Sequence, residues 1–213
     1  MKKSGFGLLP DGVGDRFVRV AIVAGIAAIA GCAKTVSYTQ EVALSTAETA
    51  VVEFEAQIEK QCEWASSCGD ANYFPVRRSF HVRQPERWKE VSWSGASHAP
   101  VFLGTIGNDL YLVLFADHCS GLSGQIAPHP VFRWDADHWE RVPRNVIPAG
   151  TRGNIPRFSP TPAAQGRRFA LSDVDARLEE SAGNVYSKAV AELDFDRWYA
   201  LIFSRCAGQH DRH

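Results

Sequence analysis

Residues 50–58 alternate without a break. Ala50, Val52, Phe54, Ala56 and Ile58 share one side of an extended chain, and Glu53, Glu55 and Gln57 share the other. Apolar residues at a period of two suit a half-buried strand, because successive strand side chains point to opposite faces. A helix is the competing reading: Ser45 and Glu48 have the spacing of a capping box, which would turn Val51, Phe54, Ile58 and Cys62 inward. The alternation resumes before that box, where Val36, Tyr38, Val42 and Leu44 fall on one face. A β-hairpin turning at 45–49 accounts for both halves; a helix accounts for one.

Strand signals continue along the chain. Phe80–Val82 and Val91–Trp93 are short, and the run 100–106 meets Gly107-Asn108, a hairpin dipeptide. Residues 110–116, Leu-Tyr-Leu-Val-Leu-Phe-Ala, are apolar on both faces, which predicts a central strand covered from both sides. Segments 131–134 and 138–142 flank Asp135-Ala136-Asp137, a second hairpin with Trp134 and Trp139 near its tip. Residues 143–166 hold five prolines and three glycines, the composition of a long surface loop. Residues 172–180 read as a short capped helix ending by Gly183. Asp196 with Trp198, Leu201 and Ile202 favours a helix over 196–206. The expected fold is α+β and mainly β: a single antiparallel β-rich domain, sandwich- or barrel-like, with one or two C-terminal helices.

The first 31 residues have a different character. Residues 20–31 carry no charge, and Lys2, Lys3, Arg16 and Arg19 precede them. As a helix this stretch spans about 18 Å against a hydrocarbon core of roughly 30 Å, which suits the apolar region of a signal peptide and is too short to cross a membrane. The run ends in Ile29-Ala30-Gly31-Cys32, which resembles the lipobox of bacterial lipoproteins. The resemblance implies that the Cys32 sulfur receives diacylglycerol, that residues 1–31 are removed, and that the new amino group is acylated. Residues 32–35 would be a lipidated tether and 36–213 one periplasmic domain, since two acyl chains anchor stably where one does not. Ala33, in place of an aspartate after the cysteine, implies the outer membrane, with the domain facing the periplasm. The 19 residues before the apolar run, with Asp11 and Asp15, are long for such a leader; initiation at the codon of Val13 would give the usual length. In the body, Tyr38–Leu44 and Phe132–Pro143 are similar to segments of small uncharacterised proteobacterial proteins, many with such leaders. That likeness implies no activity.

Export leads to an oxidising compartment, where disulfides persist. Beyond Cys32 the cysteines are Cys62, Cys68, Cys119 and Cys206, an even set with three possible connectivities. The expected pairs are Cys62 with Cys68 and Cys119 with Cys206, worth about 2.4 and 4.6 kcal/mol by loop entropy. Their spacing is not that of a zinc ribbon and no histidine pair accompanies them, so neither metal nor cofactor is expected. Of the 23 basic and 24 acidic residues, four and two lie in the leader, which leaves 19 and 22 and a net charge of −3. Such a body has no electrostatic footprint for nucleic acid.

Asp117-His118-Cys119-Ser120 is the densest chemical cluster, and a hydrolase built on 117–123 is one reading. Adjacent side chains of an extended chain diverge, and Gly121–Gln125 lacks the full nucleophile elbow, so no catalytic residue is assigned. His98, His129, His210 and His213 read as surface residues, and Arg77-Arg78 and Arg167-Arg168 as solvated pairs. Trp88, Trp93, Trp134 and Trp139 lie in or beside strands and would serve binding if several shared one exposed face, by stacking on sugar rings, with Trp134 and Trp139 the leading pair; core and hairpin packing is the alternative. The expected role is that of a membrane-anchored envelope lipoprotein with a non-enzymatic binding or assembly function. Its expected partners are the membrane through Cys32 and an envelope protein or peptidoglycan. A carbohydrate- or peptidoglycan-binding module is a distinct alternative.

Overall fold

The structure, a computed structural model, describes residues 33–60, 73–83, 87–88, 90–116, 129–156, 161–181, 188–189 and 191–210. One sheet contains β1 (Ala33–Ala43), β2 (Thr49–Lys60), β3 (Tyr73–Arg83), β4 (Ser92–Gly95) and β9 (Arg168–Phe169), in the order β4-β3-β2-β1-β9. The second contains β5 (His98–Ile106), β6 (Asp109–Ala116), β7 (Val131–Asp135) and β8 (His138–Val142), in sequence order. Helices α1 (Leu171–Ser181) and α2 (Phe195–His210) follow among the described residues. Neither sheet closes into a barrel; the architecture is the mainly β, sandwich-like α+β fold expected.

The hairpin at 45–49 forms as its alternation predicts, with Leu44 N–H donating to Glu48 O at 2.8 Å. β1 already includes Ala33–Thr35, the residues expected to form a tether. β3 is longer than Phe80–Val82 suggested. It carries Pro75 at the point where the β2–β3 register shifts, between Gln57 and Ile58. Proline donates no ladder hydrogen bond, and a bulge is one of the few strand positions that tolerates it. At the β5–β6 turn, Gly107 has φ +63°. Positive φ at the first of two central positions is what a type II′ hairpin requires, and glycine adopts it without strain.

The sheets stack through one core. Val42, Val52, Phe54, Phe80 and Val82 of the first sheet meet Leu103, Leu110, Leu112, Leu114 and Trp134 of the second. The opposite face of the second sheet, with Phe102, Tyr111, Val113, Phe115 and Val131, packs against Ile147, Ala189, Leu193, Trp198 and Cys206. β6 is therefore buried on both faces, as its sequence predicted. Each such Leu, Val or Phe contributes about 1.5–3 kcal/mol on burial.

Several expectations are corrected. The described part of 143–166 is no free loop: Ile147 and Ile155 are buried, and Asn154 is bonded to both sheets. Asn154 and Ile155 both donate backbone N–H groups to Val101 O at 3.1 Å, which covers the open edge of β5. His98 and His129 are buried, the latter with its ring 4.7 Å from that of Phe115. α2 is capped by Asp194 rather than Asp196: Asp194 Oδ1 accepts from Arg197 N–H at 3.0 Å. α1 starts at Leu171, one residue before the expected Ser172.

Candidate functional site

Alternation places one aromatic residue of each of four strands on the inner face of the first sheet. The register sets Phe54 opposite Phe80 and Phe80 opposite Trp93, and Tyr38 of β1 completes the row. Tyr38 and Phe54 stack with ring centroids 5.2 Å apart and planes 9° apart. Phe80 and Trp93 stack at 6.0 Å and 27°, and Phe54 meets Phe80 at 6.0 Å. Such pairs add about 0.5–1.5 kcal/mol each beyond their burial.

A cleft of about 810 Å³ is lined by these four residues, by their polar strand neighbours Ser37, Thr39, Glu53, Glu55, Ser79, His81, Ser92 and Ser94, and by Trp139 and Gln165–Arg167. That volume lies within the roughly 300–1,000 Å³ of small-molecule sites. Both walls are anchored. Trp139 Nε1–H donates to Ser92 O at 2.7 Å, tying β8 of one sheet to β4 of the other. Ser37 N–H donates to Gln165 Oε1 at 3.0 Å, Gly166 N–H to Ser37 O at 2.7 Å, and Thr39 N–H to Arg167 O at 2.9 Å. The indole of Trp93 lies over Gly95, where a Cβ would come within 2.5 Å of it.

Arg167 lines the β1 side of the cleft, and Arg78 and Arg177 lie near Tyr38. Burial raises the Tyr38 pKa above the ordinary tyrosine value, against the lowering effect of the Arg78 and Arg177 guanidiniums. Tyr38 is therefore a neutral phenol at physiological pH. Arg167 and Arg177 lie 5.1 and 4.7 Å from the ring centre of Phe169, whose ring edge meets Tyr38 at 5.8 Å. The arrangement offers two half-buried indoles, Trp93 and Trp139, together with polar side chains of four strands, two of them carboxylates, and the Arg167 guanidinium. It can bind; among the described residues no histidine, cysteine, aspartate or glutamate cluster of metal-ligating type occurs.

The structure separates the sequence candidates. Trp134 is buried, with its ring meeting Trp139 edge-on at 5.0 Å, so it takes the hairpin-packing role. Trp139 is half-buried and reaches the cleft. Cys206 is disulfide-bonded and buried on α2. Cys32, Cys62, Cys68, Cys119 and the 117–123 segment lie outside the described residues. Trp93 and Arg167 are among the residues that the sequence offers for binding; Tyr38, Phe54 and Phe80 are not. Their inward phase was readable, but their convergence depends on the registers of β2–β3 and β3–β4. Comparison with known protein families, with curated proteins and with solved structures finds no match for this chain.

Proposed function

We propose that this protein is a lipid-anchored envelope protein that binds, without transforming it, a ligand with a flat or extended apolar body. The cleft carries the binding part of this reading: a space about one small molecule in size, with the half-buried Trp93 and Trp139 among fixed polar groups, has the usual form of a ligand site. The anchor part is supported by Ile29-Ala30-Gly31-Cys32, and Ala33 after it favours the periplasmic side of the outer membrane. Sugar stacking is less well supported. Tyr38 with Phe54, and Phe80 with Trp93, spend ring faces on each other, and Trp93 lies over Gly95.

The test is a titration of the full chain with an environment-sensitive naphthylamine dye and, separately, with soluble peptidoglycan fragments. Trp93 and Trp139 line the cleft, so dye binding should quench their emission, and Tyr38→Ala should weaken it. Dye binding untouched by Tyr38→Ala would remove the cleft from the reading, and quenching by peptidoglycan fragments alone would favour the sugar alternative. Acylation is read separately: labelled palmitate should enter the wild-type chain and not Cys32→Ser.

A further inference from the structure

The end of the first sheet where β1 begins has an exposed character of its own. Because β1 and β2 turn at 44–48, Ala33 lies at the same end as Lys60 of β2 and Tyr73–Val76 of β3. Among the described residues four large apolar side chains are exposed, and two of them are here: Phe74 at 41% and Val76 at 37%. Phe74 stands opposite Glu59, and Val76 is the residue that the β2–β3 register skips. Pro75 between them is buried, so the bulge turns two apolar side chains outward. Glu59 and Arg77 are exposed on the same face, and Lys34 is exposed at this end of β1 on the opposite face.

Where the chain continues decides what this end faces. Cys32 immediately precedes the first residue of β1, so no linker separates it from the sheet. Phe74 lies two strand spacings from Ala33, about 10 Å across the sheet. A surface this close to an acyl-bearing residue meets lipid whenever the anchor is inserted. Aromatic and aliphatic side chains flanked by cations suit the boundary between anionic headgroups and acyl chains.

We propose that this end of the first sheet is a bilayer-contact surface, with Phe74 and Val76 entering an anionic leaflet and Lys34 and Arg77 meeting its phosphates. The proposal rests on the lipid-anchor reading above. It fixes the domain upright, with the β1–β2 strands standing on the membrane rather than swinging on a tether.

The experiment uses the full, lipid-bearing chain in vesicles of phosphatidylglycerol with phosphatidylcholine, in phosphatidylcholine alone, and in detergent. Amide hydrogen exchange is followed at 73–78, with β6 as internal reference. Exchange at 73–78 should be slowed several-fold in the anionic vesicles relative to detergent. Phe74→Ser with Val76→Ser should abolish the slowing without changing the melting temperature. Lys34→Gln with Arg77→Gln should narrow the gap between anionic and neutral vesicles, by about fivefold in surface affinity per cation. Equal exchange in vesicles and detergent would overturn the proposal. So would slowing in detergent that grows with protein concentration, which would mark a contact between copies. The mass of the Cys32 peptide separates the two readings: a chain without acyl groups sinks the anchor, whereas an acylated chain with unchanged exchange sinks the surface alone.

Discussion

Asn154 joins the two sheets, and its removal should be costly for a residue in a proline- and glycine-rich segment. Its Nδ2 group donates to Ala43 O at 2.8 Å and to Leu103 O at 2.7 Å, and its Oδ1 accepts from Leu103 N–H at 3.0 Å. One amide thus completes the hydrogen bonding of Leu103 on β5 and ties it to the end of β1. Each net hydrogen bond is worth about 0.5–1.5 kcal/mol, and stranded partners add their desolvation. Asn154→Ala should therefore cost about 2–4 kcal/mol, a fall of roughly 5–15 °C in Tm for a chain of this size. Asn154→Asp keeps the acceptor for Leu103 N–H but sets a carboxylate against two carbonyl oxygens, and it should be no more stable than the alanine variant. The assay is urea and thermal unfolding of the full oxidised chain followed by circular dichroism. A loss below about 0.5 kcal/mol for Asn154→Ala would refute the view that this side chain holds the sheets together.

Trp198 is fully buried against Phe115 at 5.2 Å, so Trp198→Ala should cost about 3–5 kcal/mol, read as a lowered urea midpoint. Gly95→Ala should displace the Trp93 indole and alter dye binding in the cleft; unchanged binding and tryptophan emission would contradict the described packing. The hydrogen bond from Arg168, and then that from Leu171 N–H, hold the Glu41 carboxyl below its ordinary pKa. A depressed carboxyl stabilises the fold above the ordinary carboxylate range and loses that effect as pH falls through the lowered value. Stability of wild type over Glu41→Gln should accordingly be present at neutral pH and shrink in acid; a gap that widens in acid would contradict the assignment.

The strands that were legible are those whose phase is never interrupted. Residues 50–58 keep strict alternation, and 110–116 are apolar throughout, so the faces of β2 and β6 follow directly from sequence. β3 hid its length because the bulge at Pro75 moves the inward positions from Pro75 to Arg78 and Phe80, a spacing that no fixed period matches. β9 is two residues paired in parallel with Thr39 and Gln40, and two residues carry no periodicity. The segment around Asn154 looked like solvent-exposed loop because its anchoring is made by backbone groups and one amide, which composition does not weigh. The cap of α2 was misplaced by two residues because Leu193 takes a positive φ of 46° just before Asp194, a turn that sequence does not announce.

The position of the cleft follows from how unevenly the faces are covered. The described second sheet is covered on both sides, by the first sheet on one and by α2 with Ile147, Ala189 and Leu193 on the other. The outer face of the first sheet is solvated and internally paired: Glu53 with Arg83, Glu41 with Arg168, Arg77 with Ser94. Its inner face is closed by Leu103, Leu112 and Trp134 at one place and by Ala164 over Val36, Ala56 and Ile58 at another. Tyr38, Phe54, Phe80 and Trp93 cross the sheet between those two covers. Phe54 and Phe80 are buried under the second sheet, Tyr38 and Trp93 at the two ends of the row stay half-buried, and ring against ring removes apolar surface that would otherwise meet water. A ligand in the cleft would add to the burial of the half-buried Trp93 and Trp139, and that part of its affinity should follow the ligand's apolar area.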